Sequence, residues 1–147
     1  MKRGFQFAET MSGTYTLRSA PERTQPFSFS ILAHAPSVLA HLRDGKTRMR
    51  GTLEADGLAT HVPIEGTLTL ALLTRRMIRY EFSFTGDDGQ PYRFAGQKDI
   101  RLRDLRRSFT ILPGAILDGQ DREIGTAETR FDLRADLFQF LSSWRPA

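Results

Sequence analysis

The chain contains no cysteine among its 147 residues. That absence rules out a disulfide framework, a thiolate metal site and a cysteine nucleophile at once. Lysine is scarce, found only at Lys2, Lys46 and Lys98, so the formal charge of +4 is carried almost wholly by arginine. The three histidines, His34, His41 and His61, show neither i, i+4 spacing nor companion carboxylates in a ligand pattern, and no metal centre is expected. No apolar run approaches the roughly 20 residues that a membrane-spanning helix needs. The segment MKRGFQFAET begins basic, but no apolar stretch follows it. A secretory signal is therefore not expected, and a cytoplasmic location is the default. There is no G-x-S-x-G elbow, no G-x-G-x-x-G and no phosphate-binding loop motif, so no nucleotide or other cofactor is expected.

What is present is alternation. Between Ile64 and Ile100 three runs place apolar or small residues at every second position. They are Ile64, Gly66, Leu68 and Leu70; then Ile78, Tyr80, Phe82 and Phe84; then Tyr92, Phe94, Gly96 and Ile100. A period of two over such lengths marks half-buried antiparallel strands. Gly86-Asp87-Asp88-Gly89-Gln90 supplies a hairpin turn between the second and third runs. The same pattern predicts strands over 5–18, around Phe27, Phe29 and Ile31, over 48–54, from Phe109 and Ile111, and over 124–133. Pro113-Gly114 is expected to bend or stop the strand that Phe109 opens. Short helices are expected at 36–43, where Pro36 suits a first turn, and at 136–144. In the second of these, Leu137, Phe140, Leu141 and Trp144 form a stripe at helical spacing.

About eight strands in a single domain spanning 1–147 predict an all-β, mainly antiparallel fold. It would be either a calycin- or lipocalin-like barrel or a two-sheet sandwich. An eight-stranded barrel has an interior that is either filled by side chains or just able to hold one small ligand. Tyr15, Gly66, Tyr80, Phe82, Tyr92, Phe94 and Gly96 are the candidate cavity lining, because an inward glycine either relieves a tight bend or leaves room.

Two charges break the alternation. Glu9 falls on the apolar face of the first strand and Lys98 on that of the sixth. A charge buried alone costs several kcal/mol, so these two are expected to pair inside the barrel or at one mouth. The pair either pins strand register, binds a ligand, or serves as an acid and a base. The arginines gather at Arg101, Arg103, Arg106 and Arg107, and at Arg75, Arg76 and Arg79. Arginine forks suit phosphate oxygens, which keeps an anionic surface or nucleic acid as an alternative. No nucleic-acid-binding module accompanies these clusters, so solvated loops explain them more simply.

F-x-E-x-M-x-G at 7–13, G-T-L at 66–68, R-Y-E-F-x-F at 79–84, D-G-x-P-Y at 88–92 and A-G-x-K at 95–98 together resemble a β-rich domain of a known group. That domain accompanies cholesterol-oxidase-like flavoproteins of the glucose-methanol-choline oxidoreductase group. The resemblance implies a flavin oxidoreductase partner and a lipid- or sterol-like ligand. It does not imply oxidase activity, since the chain has no flavin-binding motif. The expectation is a non-catalytic module that binds a small apolar ligand or a partner protein. An enzyme using Glu9 and Lys98 is the alternative.

Overall fold

The computed structural model describes residues 5–35, 45–71, 74–131 and 145–146. Eight long strands follow one another: β1 (Phe5–Leu17), β2 (Thr24–Ala35), β3 (Gly45–Ala55), β4 (Ala59–Ala71), β5 (Met77–Thr85), β6 (Pro91–Asp99), β7 (Ile111–Asp118) and β8 (Glu123–Arg130). Each pairs antiparallel with the next, and β8 returns to pair with β1. This is a closed up-and-down barrel, and closure decides against the sandwich. A two-residue strand, β9 (Arg145–Pro146), continues the β1 edge beyond β8 by pairing with Phe5 and Gln6.

The alternation read from the sequence sets which face points inward. On β5, Ile78, Tyr80, Phe82 and Phe84 are buried while Arg79, Ser83 and Thr85 are exposed. Outward positions elsewhere carry charge, with Arg48, Arg50, Glu65, Arg93, Glu128 and Arg130 all exposed. A membrane-spanning barrel has the opposite polarity, an apolar outer band around a polar interior. No helix among the described residues is long and apolar enough to cross a membrane.

Glycines let the walls curve. A Cβ on Gly13, Gly51 or Gly66 would lie 1.9, 1.7 or 1.8 Å from a carbonyl oxygen of the neighbouring strand, so these positions are close backbone crossings. Gly96 and its β7 partner Gly114 instead lie against the Phe94 ring, which would be 2.8 and 2.4 Å from their added Cβ atoms. The space above that glycine pair is taken by an aromatic ring.

Three expectations are corrected. Phe109 does not open the seventh strand. Leu102–Asp104 forms a single 3-10 turn and Leu105–Thr110 a short helix, α1, and Phe109 lies in that helix at 40% exposure. Pro113 does not stop β7, which runs on to Asp118. What ends there is pairing with β6, whose ladder reaches Gly96–Gly114 and goes no further. Pro113 has no N–H to donate, which suits the point where a ladder ends. The eighth strand ends at Arg130, short of the expected 133. The helices expected at 36–43 and 136–144 lie outside the described residues.

Candidate functional site: a polar end inside the barrel

Up-and-down winding gives the barrel two unlike ends. The tight turns after β1, β3, β5 and β7 share one end, which includes the Gly86–Gln90 hairpin. The opposite end holds the start of β1, the end of β6 and the 100–110 connection. At the hairpin end the interior is filled with rings. Phe27, Phe29, Phe82 and Phe94 contact one another with centroids 5.0–6.3 Å apart, and Phe84 stacks on Tyr92 at 5.6 Å. Each buried phenylalanine contributes about 2 kcal/mol by leaving water, so this half is the stabilising core. Tyr15 joins it through Phe27, and its hydroxyl reaches the turns, donating to the Asp56 carbonyl and the Gln25 side chain. The turn carboxylates have local duties. Asp87 accepts from Thr60, and Asp88 accepts from the Gln90 N–H and the Tyr92 hydroxyl.

The other half of the interior, where Ile31, Ala33, Met49, Leu68, Ile78 and Leu112 are buried, also encloses charged and polar groups. Glu9 projects from β1, Tyr80 from β5 and Lys98 from β6. The Tyr80 hydroxyl donates to Glu9 Oε1 at 2.7 Å. Because β1 and β5 stand four strands apart around the wall, this hydrogen bond crosses the lumen. The Lys98 ammonium lies 3.9 Å from the same oxygen and 5.2 Å from the centroid of the Tyr80 ring. Glu9 is 10% exposed and Lys98 4%. At 3.9 Å the two charges attract without sharing a hydrogen bond, so the donor capacity of the ammonium is not used up by this carboxylate.

Burial shifts Tyr80 and Lys98 in opposite directions. Tyr80 is held well above the ordinary phenol range, first by burial, then by the Glu9 charge and its hydrogen bond. Lys98 is pulled below the ordinary lysine range by burial, which the neighbouring carboxylate offsets in part. Two more polar groups share this end. The Thr47 and Thr129 hydroxyls are buried, and neither has a hydrogen-bond partner among the described residues. Register places Thr47 opposite Leu68, which in turn faces Tyr80, and places Thr129 opposite Leu112 and Gly13.

The structure therefore brings Glu9 and Lys98 together and adds Tyr80 to them. Phe82 and Phe94 belong to the packed half, Gly66 to a strand crossing and Gly96 to the seat of the Phe94 ring. Tyr92, half-buried, sits at the hairpin end. Sequence reading passed over Thr47 and Thr129. The available signal was a hydroxyl residue at an inward position of an otherwise apolar alternation.

The arginines of 101–107 lie at the polar end, on the 3-10 turn and α1. Arg76 is brought beside them, because its carbonyl accepts the Ile100 N–H at 2.7 Å. Arg79 stands apart on the outer wall, paired with Glu81 at 2.6 Å. His61 is exposed in the β4 segment, and His41 lies outside the described residues. No protein-family model, curated protein or solved structure matches this chain. The functional reading consequently rests on the fold and on the chemistry of its polar end.

Proposed function

We propose that the protein is a non-catalytic β-barrel module that binds a small molecule with an apolar body and a hydrogen-bond-accepting or anionic head. The head would be received at the polar end by Lys98, Thr129 and Thr47, with Glu9 and Tyr80 holding the lysine in place. One observation carries this reading: the buried polar groups of that end retain unused hydrogen-bonding capacity. A buried hydroxyl without a partner costs about 1–3 kcal/mol, and a head group would satisfy it. The resemblance to the oxidoreductase-associated domain favours a lipid- or sterol-like body, and a flavin oxidoreductase as the protein to which such a ligand passes. Acid–base catalysis by the pair is less well supported. That role needs both groups to line one accessible pocket, and Lys98 and Glu9 are only 4% and 10% exposed.

The test is native mass spectrometry of the purified protein, followed by titration with a long-chain fatty acid and with a sterol. A stoichiometric adduct is expected, weakened at least about tenfold by Lys98→Met, the loss of one charge-assisted contact. Thr129→Val is the companion variant. It should weaken binding while leaving the fold at least as stable, because it removes an unpartnered hydroxyl. A wild-type protein that takes up neither probe, or variants that bind as tightly as it does, would sink the reading.

A further inference from the structure

The 3-10 turn and α1 carry a feature that the interior site does not explain. Leu102, Leu105 and Phe109 are 72%, 49% and 40% exposed, the large apolar side chains left most open to water among the described residues. Their spacing of three and four sets them in one stripe on the helical segment. Arg101, Arg103, Arg106 and Arg107 surround that stripe and are all exposed. Arg75 and Arg76, at the adjoining β4–β5 turn, are exposed as well. None of the six pairs with a described carboxylate; elsewhere on the described surface Arg18, Arg79, Arg93 and Arg122 do, and Arg23, Arg48, Arg50 and Arg130 do not. The segment is held in shape from within: the Ser108 hydroxyl accepts the Arg101 N–H at 3.0 Å and donates to the Leu105 carbonyl at 3.2 Å.

We infer that this segment docks the barrel, polar end first, onto a membrane surface containing anionic phospholipid. The apolar stripe enters the boundary between headgroups and acyl chains, and the arginines bind lipid phosphates. The two features point to the same occupant. Unpaired guanidinium groups alone suit any polyanion, and exposed leucines alone suit any apolar partner. Their interleaving over nine residues matches a surface that is anionic above and apolar just beneath. A nucleic acid offers the charge but gives Leu102 and Leu105 nothing to enter. The inference is independent of the interior site, and either can fail without the other.

Vesicle co-sedimentation with the full chain tests it. Phosphatidylcholine vesicles are compared with vesicles in which one lipid in three is phosphatidylglycerol. Binding is expected only to the second, and it should fall as salt is added. Arg103→Glu/Arg106→Glu/Arg107→Glu should weaken partitioning by roughly 100-fold, taking about fivefold for each basic charge lost at the surface. Leu102→Ser/Leu105→Ser/Phe109→Ser should abolish sedimentation with all charges kept, and thermal unfolding should show the fold unchanged. Three outcomes would overturn the inference. One is equal binding to neutral vesicles or none to either; another is anionic-vesicle binding that survives the serine variant. The third is tighter binding to single-stranded nucleic acid than to anionic vesicles.

Discussion

Lys98 is the side chain whose burial works hardest against the fold, and Glu9 is what makes that burial tolerable. Removing the lysine alone leaves a largely buried carboxylate with the Tyr80 hydroxyl as its one hydrogen-bond donor among the described side chains. Lys98→Met is therefore expected to cost about 3 kcal/mol in chemical denaturation. Glu9→Leu/Lys98→Met should cost less than the single change, since no lone charge remains; the reverse ranking would show the pair to be no more than a surface contact. The phenols provide a second check. All three tyrosines are shifted upward: Tyr15 mainly by burial, Tyr80 by burial and Glu9, and Tyr92 to about 12 mainly by its hydrogen bond to Asp88. A raised value means that the folded state holds the proton more tightly than the unfolded chain. The stability contributed by the phenols is then complete below a pH of about 10 and is lost as pH rises beyond it. Lys98, shifted downward, runs the other way, favouring the fold increasingly as pH approaches the ordinary lysine value. Spectrophotometric titration should find no tyrosine ionising in the ordinary range while the chain is folded. At this scale the sequence exposed the two charges because they stood where apolar residues belonged. It marked Tyr80 only as cavity lining, with nothing to tie it to the two charges, and the signal from Thr47 and Thr129 was faint because threonine is an ordinary strand residue.

Among elements, the strands were legible and the 100–110 connection was not. Period-two runs such as Ile78–Phe84 have one physical meaning once turn residues bound them. The stretch from Arg101 to Ile111 contains both an i, i+3, i+7 stripe of Leu102, Leu105 and Phe109 and a two-residue alternation of Phe109 and Ile111. The short alternation predicts a strand from Phe109, whereas the helical stripe, with more members, is the pattern the chain obeys. The glycines carried real information but an ambiguous one, since curvature and vacancy leave the same mark in a sequence. Coordinates resolve it at Gly66, where the obstacle is the backbone of β5 and cannot swing aside. Gly66→Ala is expected to destabilise by about 3 kcal/mol or more, by overpacking at a strand crossing. A thermal midpoint equal to wild type would mean that the β4–β5 crossing is looser than described. At Gly96, the room that a missing side chain leaves is already occupied by Phe94.

For the molecule as a whole, the parts of a β-barrel or sandwich are legible in the sequence: eight alternating runs, short turns, and bulky residues on one face throughout. Whether the runs joined end to start did not follow, because nothing in the composition of β1 or β8 marks them as neighbours. A closed wall has no free margin, and that removes the usual site where sheets recruit one another. Among the described pairings, the wall departs from this between β6 and β7. Beyond Gly96 and Gly114 the β6–β7 ladder is unmade, while β6 stays paired with β5 as far as Asp99 and β7 with β8 from Ile111. Local opening starts where fewest bonds must break. Deuterium should accordingly enter Gln97–Asp99 and Ile111–Leu112 sooner than the β3–β4 pair, whose ladder is continuous from Gly45–Leu70 to Leu53–Val62, and hydrogen-exchange mass spectrometry can read the order. That gap between β6 and β7 lies beside Lys98, so exchange in that order would give the polar end a side door as well as its mouth.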